Sequence, residues 1–232
     1  MNNQRGEELI RDLLEEPSTF NDRGRAYELL QEYFAALPVE TLRPLLRSDN
    51  IDIQRSAAFI ASELGGQARS LVDDVIPLLR SPDGHVAWYA METLTVCCEG
   101  EHALKFGHVA RMLESDVDVL RRLAMRLLSK ADTSQLEGAR QFFEAAESPH
   151  APHGRALSTL VAGDRAEPSA VASMIRDADP LIRRYGAIAA QRLHEKFPNL
   201  MREVSSSDDA DLCKFHQGIG RIVDADPQTS AS

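Results

Sequence analysis

Apolar residues fall along this chain in short runs at helical spacing, and the runs recur. Leu42-Arg43-Pro44-Leu45-Leu46-Arg47-Ser48-Asp49 returns as Val75-Ile76-Pro77-Leu78-Leu79-Arg80-Ser81-Pro82-Asp83. It returns again, more weakly, as Val109-Ala110-Arg111-Met112-Leu113-Glu114-Ser115-Asp116. A recurrence of roughly 32 residues marks an array of stacked units, each too small to bury its own apolar face. Each unit reads as a helix, a polar turn and a second helix. Anchors at Leu14, Leu46, Leu79, Leu113, Phe143, Ile175 and Val204 give seven units starting near residues 8, 41, 72, 106, 136, 168 and 200. Ser48-Asp49-Asn50, Ser81-Pro82-Asp83-Gly84, Ser115-Asp116, Ser148-Pro149 and Asp177-Ala178-Asp179-Pro180 are turn and cap signals between paired helices. Gly65-Gly66, Gly100 and Gly163 are expected to close second helices.

The second helices align on one small residue: Ala26, Ala58, Ala90, Ala124, Ala156 and Gly186. The next position is Tyr27, Phe59, Met91, Met125, Leu157 and Ala187. Four beyond the small residue come Leu30, Ser62, Leu94, Leu128, Leu160 and Ala190. These columns form one helical stripe and predict the buried face. Positions two before, two after and five after the small residue are then expected to be exposed. They include Ser56, Trp88, Arg122 and Arg184; Glu28, Ile60, Glu92, Arg126 and Ile188; and Glu63.

The pattern resembles the HEAT-repeat family, in its short HEAT-like form, best over Leu45 to Gly65, Leu78 to Val96 and Met112 to Ser129. Asp49 with Arg55, Asp116 with Arg121 or Arg122, and Asp177 with Arg183 match the family's turn Asp and second-helix Arg; the pair at Asp83 is interrupted by Ala87. The resemblance implies an all-α fold: a right-handed α-solenoid of about seven helix pairs, one repeat domain over 1–232. Its ordered core would run from about 8 to 226, with a disordered tail at 227–232. The resemblance also places the second helices on a concave wall.

Composition narrows the chemistry. The net charge is −10 and the pI about 5.2, so binding of nucleic acid by the whole surface is disfavoured and a partner with a basic patch is favoured. Cys97, Cys98 and Cys213 offer no disulfide framework. No apolar run reaches the length of a membrane span, and the opening residues lack a secretion signal, so a cytoplasmic protein is expected. No phosphate loop or nucleophile elbow appears. His150-Ala151-Pro152-His153 is a poor metal site without further ligands, and Asp73-Asp74 and Asp208-Asp209 read as solvated turns. No catalytic residue, metal or cofactor is assigned.

The expected function is a non-catalytic protein-binding module, in its most concrete form an inhibitor or immunity protein that neutralises a basic toxin or enzyme. Trp88 is the expected anchor, being the only tryptophan, in a column otherwise polar or small. Arg122, Arg126 and Arg184 are read as free charged contacts toward one end, and Glu92, Glu63 and Glu28 toward the other. The alternative is a HEAT-like enzyme in the same groove. A DNA glycosylase-like protein would use Trp88, Glu92, Arg122 and Arg126, matched by chemistry alone. A bilin lyase-like protein would hold a tetrapyrrole. The oligomeric state is left open.

Overall fold

The computed structural model describes residues 4–21, 23–145 and 151–218, and among them every regular element is helical. The expected turn at Ser148-Pro149, the candidate ligand His150 and the tail lie outside the described residues. Where the sequence reads as one array, the chain divides into two compact units, Met1–His102 and Ala103–Ser232.

The first unit contains α1 (Gln4–Glu15), α2 (Pro17–Phe20), α3 (Arg25–Ala35), α4 (Arg43–Leu46), α5 (Ile51–Glu63), α6 (Val72–Val75) and α7 (Gly84–Cys97). Here the sequence rhythm is obeyed: α1 packs on α3, α3 on α5 and α5 on α7. The expected first helices are short α-turns joined to 3₁₀ segments at Val39–Leu42, Gly65–Leu71 and Ile76–Arg80. Pro44 and Pro77 each remove a backbone donor there, so the hydrogen-bond ladder restarts at the proline. Caps fall where the polar turns predict. The Asn50 side chain accepts from the N–H groups of Asp52 and Ile53, and Asp83 from those of His85 and Val86. Gly65 and Gly100 take positive φ, 56° and 55°, as closing residues of α5 and α7.

The small-residue column is buried throughout: Ala26, Ala58 and Ala90 here, Ala124, Ala156 and Gly186 in the second unit. The anchors Leu46, Leu79, Leu113, Phe143, Ile175 and Val204 are buried too. Each buried aliphatic side chain of this size contributes on the order of 1.5–3 kcal/mol. Two expectations fail at the N-terminal end. Leu14 is 53% exposed, and its neighbour Leu13 is the buried anchor. Tyr27 is 62% exposed, because α3 begins the row of second helices and is covered on fewer sides.

The second unit contains α8 (Gly107–Arg111), α9 (Asp118–Lys130), α10 (Thr133–Ala145), α11 (Ala151–Ala162), α12 (Pro168–Ile175), α13 (Pro180–Arg192), α14 (Pro198–Ser205) and α15 (Ala210–Gly218). Here packing departs from the rhythm. Helix α9 packs on the 3₁₀ segment Met112–Glu114 of its own repeat, as the rhythm predicts, but also on α13 and α15, while α11 packs on α10 and α13. Helix α13 is therefore central, and Tyr185 through Ala190 are all buried. Its Arg192 reaches the C-terminal end of α9, donating from Nη1 to the carbonyls of Ala131 (2.7 Å), Ser129 (3.2 Å) and Leu128 (3.4 Å). A guanidinium at the negative end of a helix dipole is a favourable contact that the apolar period does not encode.

Neighbouring repeats are tied by ion pairs with a stride of 26 to 28 residues. Arg47 donates to Asp74 at 2.6 Å, 27 residues on. Arg55 donates from Nε to Asp83 at 3.0 Å, 28 residues on. Arg183 donates to Asp209 at 3.0 Å, 26 residues on. The arginine reaches the following repeat's carboxylate, so Asp83 is a rung of this ladder despite Ala87; Arg183 also donates to the carbonyl of its own turn residue Asp177 at 2.9 Å. Asp74, read as solvated, is buried and sits between Arg47 and Arg43. Burial pushes the Asp83 and Asp209 carboxyls up, but Arg55 and Arg183, with backbone N–H donors, more than offset it. Both pKa values lie below the ordinary carboxylate range.

Candidate protein-interaction surface

In the first unit, α3, α5 and α7 lie side by side, and each contributes a different mixture to the exposed face. Helix α3 presents Tyr27 and Phe34, the latter 48% exposed, seven residues apart and so on one stripe. Glu28 is exposed beside them and accepts a 2.7 Å ion pair from Arg5. Helix α5 presents half-buried Phe59 and, one turn later, exposed Glu63. Helix α7 presents half-buried Trp88, Tyr89 and Glu92, and exposed Val96.

Phe59 and Tyr89 meet across the α5–α7 seam, ring centroids 5.7 Å apart and planes at 68°. This edge-to-face pair leaves both rings partly accessible. The Tyr89 hydroxyl is held above its ordinary pKa by burial, and further by the charges of Glu92 and Glu63; Arg55 opposes them weakly and Asp83 adds to them. Arg55 is bound to Asp83 and to Asp52.

Not every column is exposed as expected. Ser56 and Ile60 are fully buried in the first unit, and Ile188 in the second. Helix α5 is sandwiched between α3 and α7, and α13 is enclosed by several helices, so a single stripe cannot account for all of their buried surface. Trp88 and Glu92 are half-buried and already engaged with other groups.

The arginines of the second unit are not the free contacts expected. Arg122 binds Asp118 at 2.6 Å and lies 3.7 Å from Asp211. Arg184 donates to Asp211 at 3.1 Å and to the Leu113 carbonyl at 2.9 Å. Arg121 also reaches Asp211, 2.7 Å from Nε, across 90 residues of sequence. Arg126 is half-buried and engaged. Helices α9 and α13 thus aim three guanidiniums at one buried carboxylate on α15. The aspartate-rich run before α15 reads as a cap, and Asp209 does accept the Asp211 N–H. The second role, of Asp211, depends on packing between distant repeats and has no local signature. The partner of Phe59 was missed for a simpler reason: Tyr89 stands one residue before the small column, outside the positions read as exposed.

His153 is a core residue. It is 1% exposed, stacked on Phe143 at 4.1 Å, with Nδ1 2.7 Å from the Tyr185 hydroxyl and Nε2 3.0 Å from Glu114. Both ring nitrogens already have protein partners. Among the described residues, no His, Cys, Asp and Glu side chains form a group of three suited to a metal, and no helix is long and apolar enough to cross a membrane. Comparison with protein-family models and with curated proteins finds no match for this chain.

Proposed function

We propose that this protein is a non-catalytic protein-binding module, built on HEAT-like helix pairs, that holds its partner on the second-helix face of the first unit. One observation carries the reading. Three helices packed in file expose large apolar and acidic side chains: Tyr27, Phe34 and Val96 with Glu28 and Glu63. Large exposed apolar groups set among charges are typical of surfaces that bury against another protein. The net charge of −10 favours fast encounter with a basic partner, which is what an inhibitor or immunity protein against a basic enzyme requires. In-file packing of α3, α5 and α7 supports a stack of helix pairs in the first unit. The α9–α13 contact limits how far the seven-pair solenoid extends as a regular stack.

The test is to capture the partner from the native host, purify it, and measure its affinity for the wild type and for Tyr27→Ala, a truncation on the exposed face of α3. A loss of about 2 kcal/mol, roughly thirtyfold, with an unchanged melting temperature is expected of an aromatic anchor. An unchanged affinity would take the exposed face of α3 out of the interface.

A further inference from the structure

We infer that Arg111, stacked on Phe142, is the centre of an oxyanion-binding site that takes the carboxylate or phosphate group of a small ligand. The site belongs to the second unit and uses no residue of the surface proposed above.

Phe142 of α10 lies against α8, and Gly107 makes room for its ring: a Cβ there would strike it. His108 meets the same ring, with centroids 4.7 Å apart. One turn on, the Arg111 guanidinium lies 5.1 Å from the centre of the Phe142 ring and 5.9 Å from that of Phe143. Stacking fixes the plane of the guanidinium but supplies no hydrogen-bond acceptor. The Arg111 Nε is enclosed and has no hydrogen-bond partner, in a residue that is half-buried as a whole. Among the described residues, every other half-buried arginine is engaged by a carboxylate, a carbonyl or another group. The acidic neighbours are committed elsewhere: Glu114 to His153 at 3.0 Å, and Glu144 to Arg140. Enclosing part of a guanidinium without an acceptor is costly, and an acceptor brought from outside offsets that cost. The charge is delocalised over the group, so an oxyanion meeting its Nη end compensates the enclosed Nε as well. A carboxylate or phosphate matches the planar fork with two parallel hydrogen bonds. A cation would be repelled, and a neutral carbonyl would balance no charge.

The probes are inorganic phosphate and acetate, titrated separately into the full chain at constant ionic strength against chloride and followed by amide chemical shifts. Saturating shifts are expected at residues 107–114 and 139–143, and chloride should produce none there. Saturation by phosphate alone assigns the site to phosphate groups, and saturation by acetate assigns it to carboxylates. Arg111→Lys keeps the charge and loses the fork, and should weaken the bound anion at least fivefold. Arg155→Gln removes an exposed arginine of α11 and should change affinity less than twofold. Arg111→Gln should abolish the local shifts; if that variant does not fold, the wild-type footprint and Arg111→Lys decide. Absence of saturation by both anions overturns the site, as do shifts spread over the basic residues at large or equal affinity in Arg111→Lys and the wild type. Arg111 would then be held by ring stacking alone.

Discussion

Gly138→Ala is expected to destabilise the second unit by about 3 kcal/mol or more, at the upper end of overpacking effects. Gly138 lies in the middle of α10, where alanine in an open helix would gain about 1 kcal/mol over glycine. Its surroundings reverse the sign. A Cβ built there would stand 2.3 Å from both the carbonyl carbon and oxygen of Ala103, and 2.8 Å from the Leu104 nitrogen. Those are backbone atoms and cannot rotate aside, so α10 must shift away from the segment it packs against. Gly154→Ala, in α11, is the control: the nearest neighbour is Glu144 Cγ at 3.9 Å, the flexible part of a side chain. Urea unfolding should give a markedly lower midpoint for Gly138→Ala and an unchanged or slightly higher one for Gly154→Ala. Equal midpoints would mean that α10 does not approach Ala103 this closely.

Asp211→Ala is expected to cost about 3 kcal/mol and to loosen α15, the last described helix. The carboxylate is buried and receives Arg121 and Arg184 directly, with Arg122 close by. Removing it leaves three half-buried guanidiniums facing one another. Asp118 still pairs with Arg122, but it also lies 3.6 Å from Lys214. The arginines would turn to solvent and α15 would lose its tie to α9 and α13. Hydrogen exchange should accelerate in 210–218 and at the start of α9, with the first unit unaffected. Asp211→Asn, which keeps one acceptor and loses the charge, should fall between the wild type and alanine. Unchanged exchange in α15 would show that apolar contacts of Leu212 and Phe215 hold the helix without the ion pairs.

The repeat was legible because it is written in residue types with strong local rules. Asn50 and Asp83 cap the helices they precede, Gly65, Gly100 and Gly163 take the left-handed conformation, and the alanine column is buried. The site was less legible, because exposure depends on how many sides of a helix are covered. One stripe of periodicity describes a helix covered on one side. It fails for Ile60 on α5 and Ile188 on α13, which have helices on more than one side, and for Tyr27 on α3, which has too few. The ionic pairing was half legible: Arg55 and Arg183 were found, but their partners are Asp83 and Asp209 of the following repeat. Arg122 and Arg184 read as free because Asp211 comes from a helix 89 and 27 residues away, and only the tertiary packing brings it to them.

The most direct measurement is hydrogen exchange of the full chain with and without its purified partner. If the second-helix face of the first unit does the holding, protection appears at residues 27–34, 59–63 and 88–96. Protection confined to the second unit, or the absence of any change on binding, would contradict it.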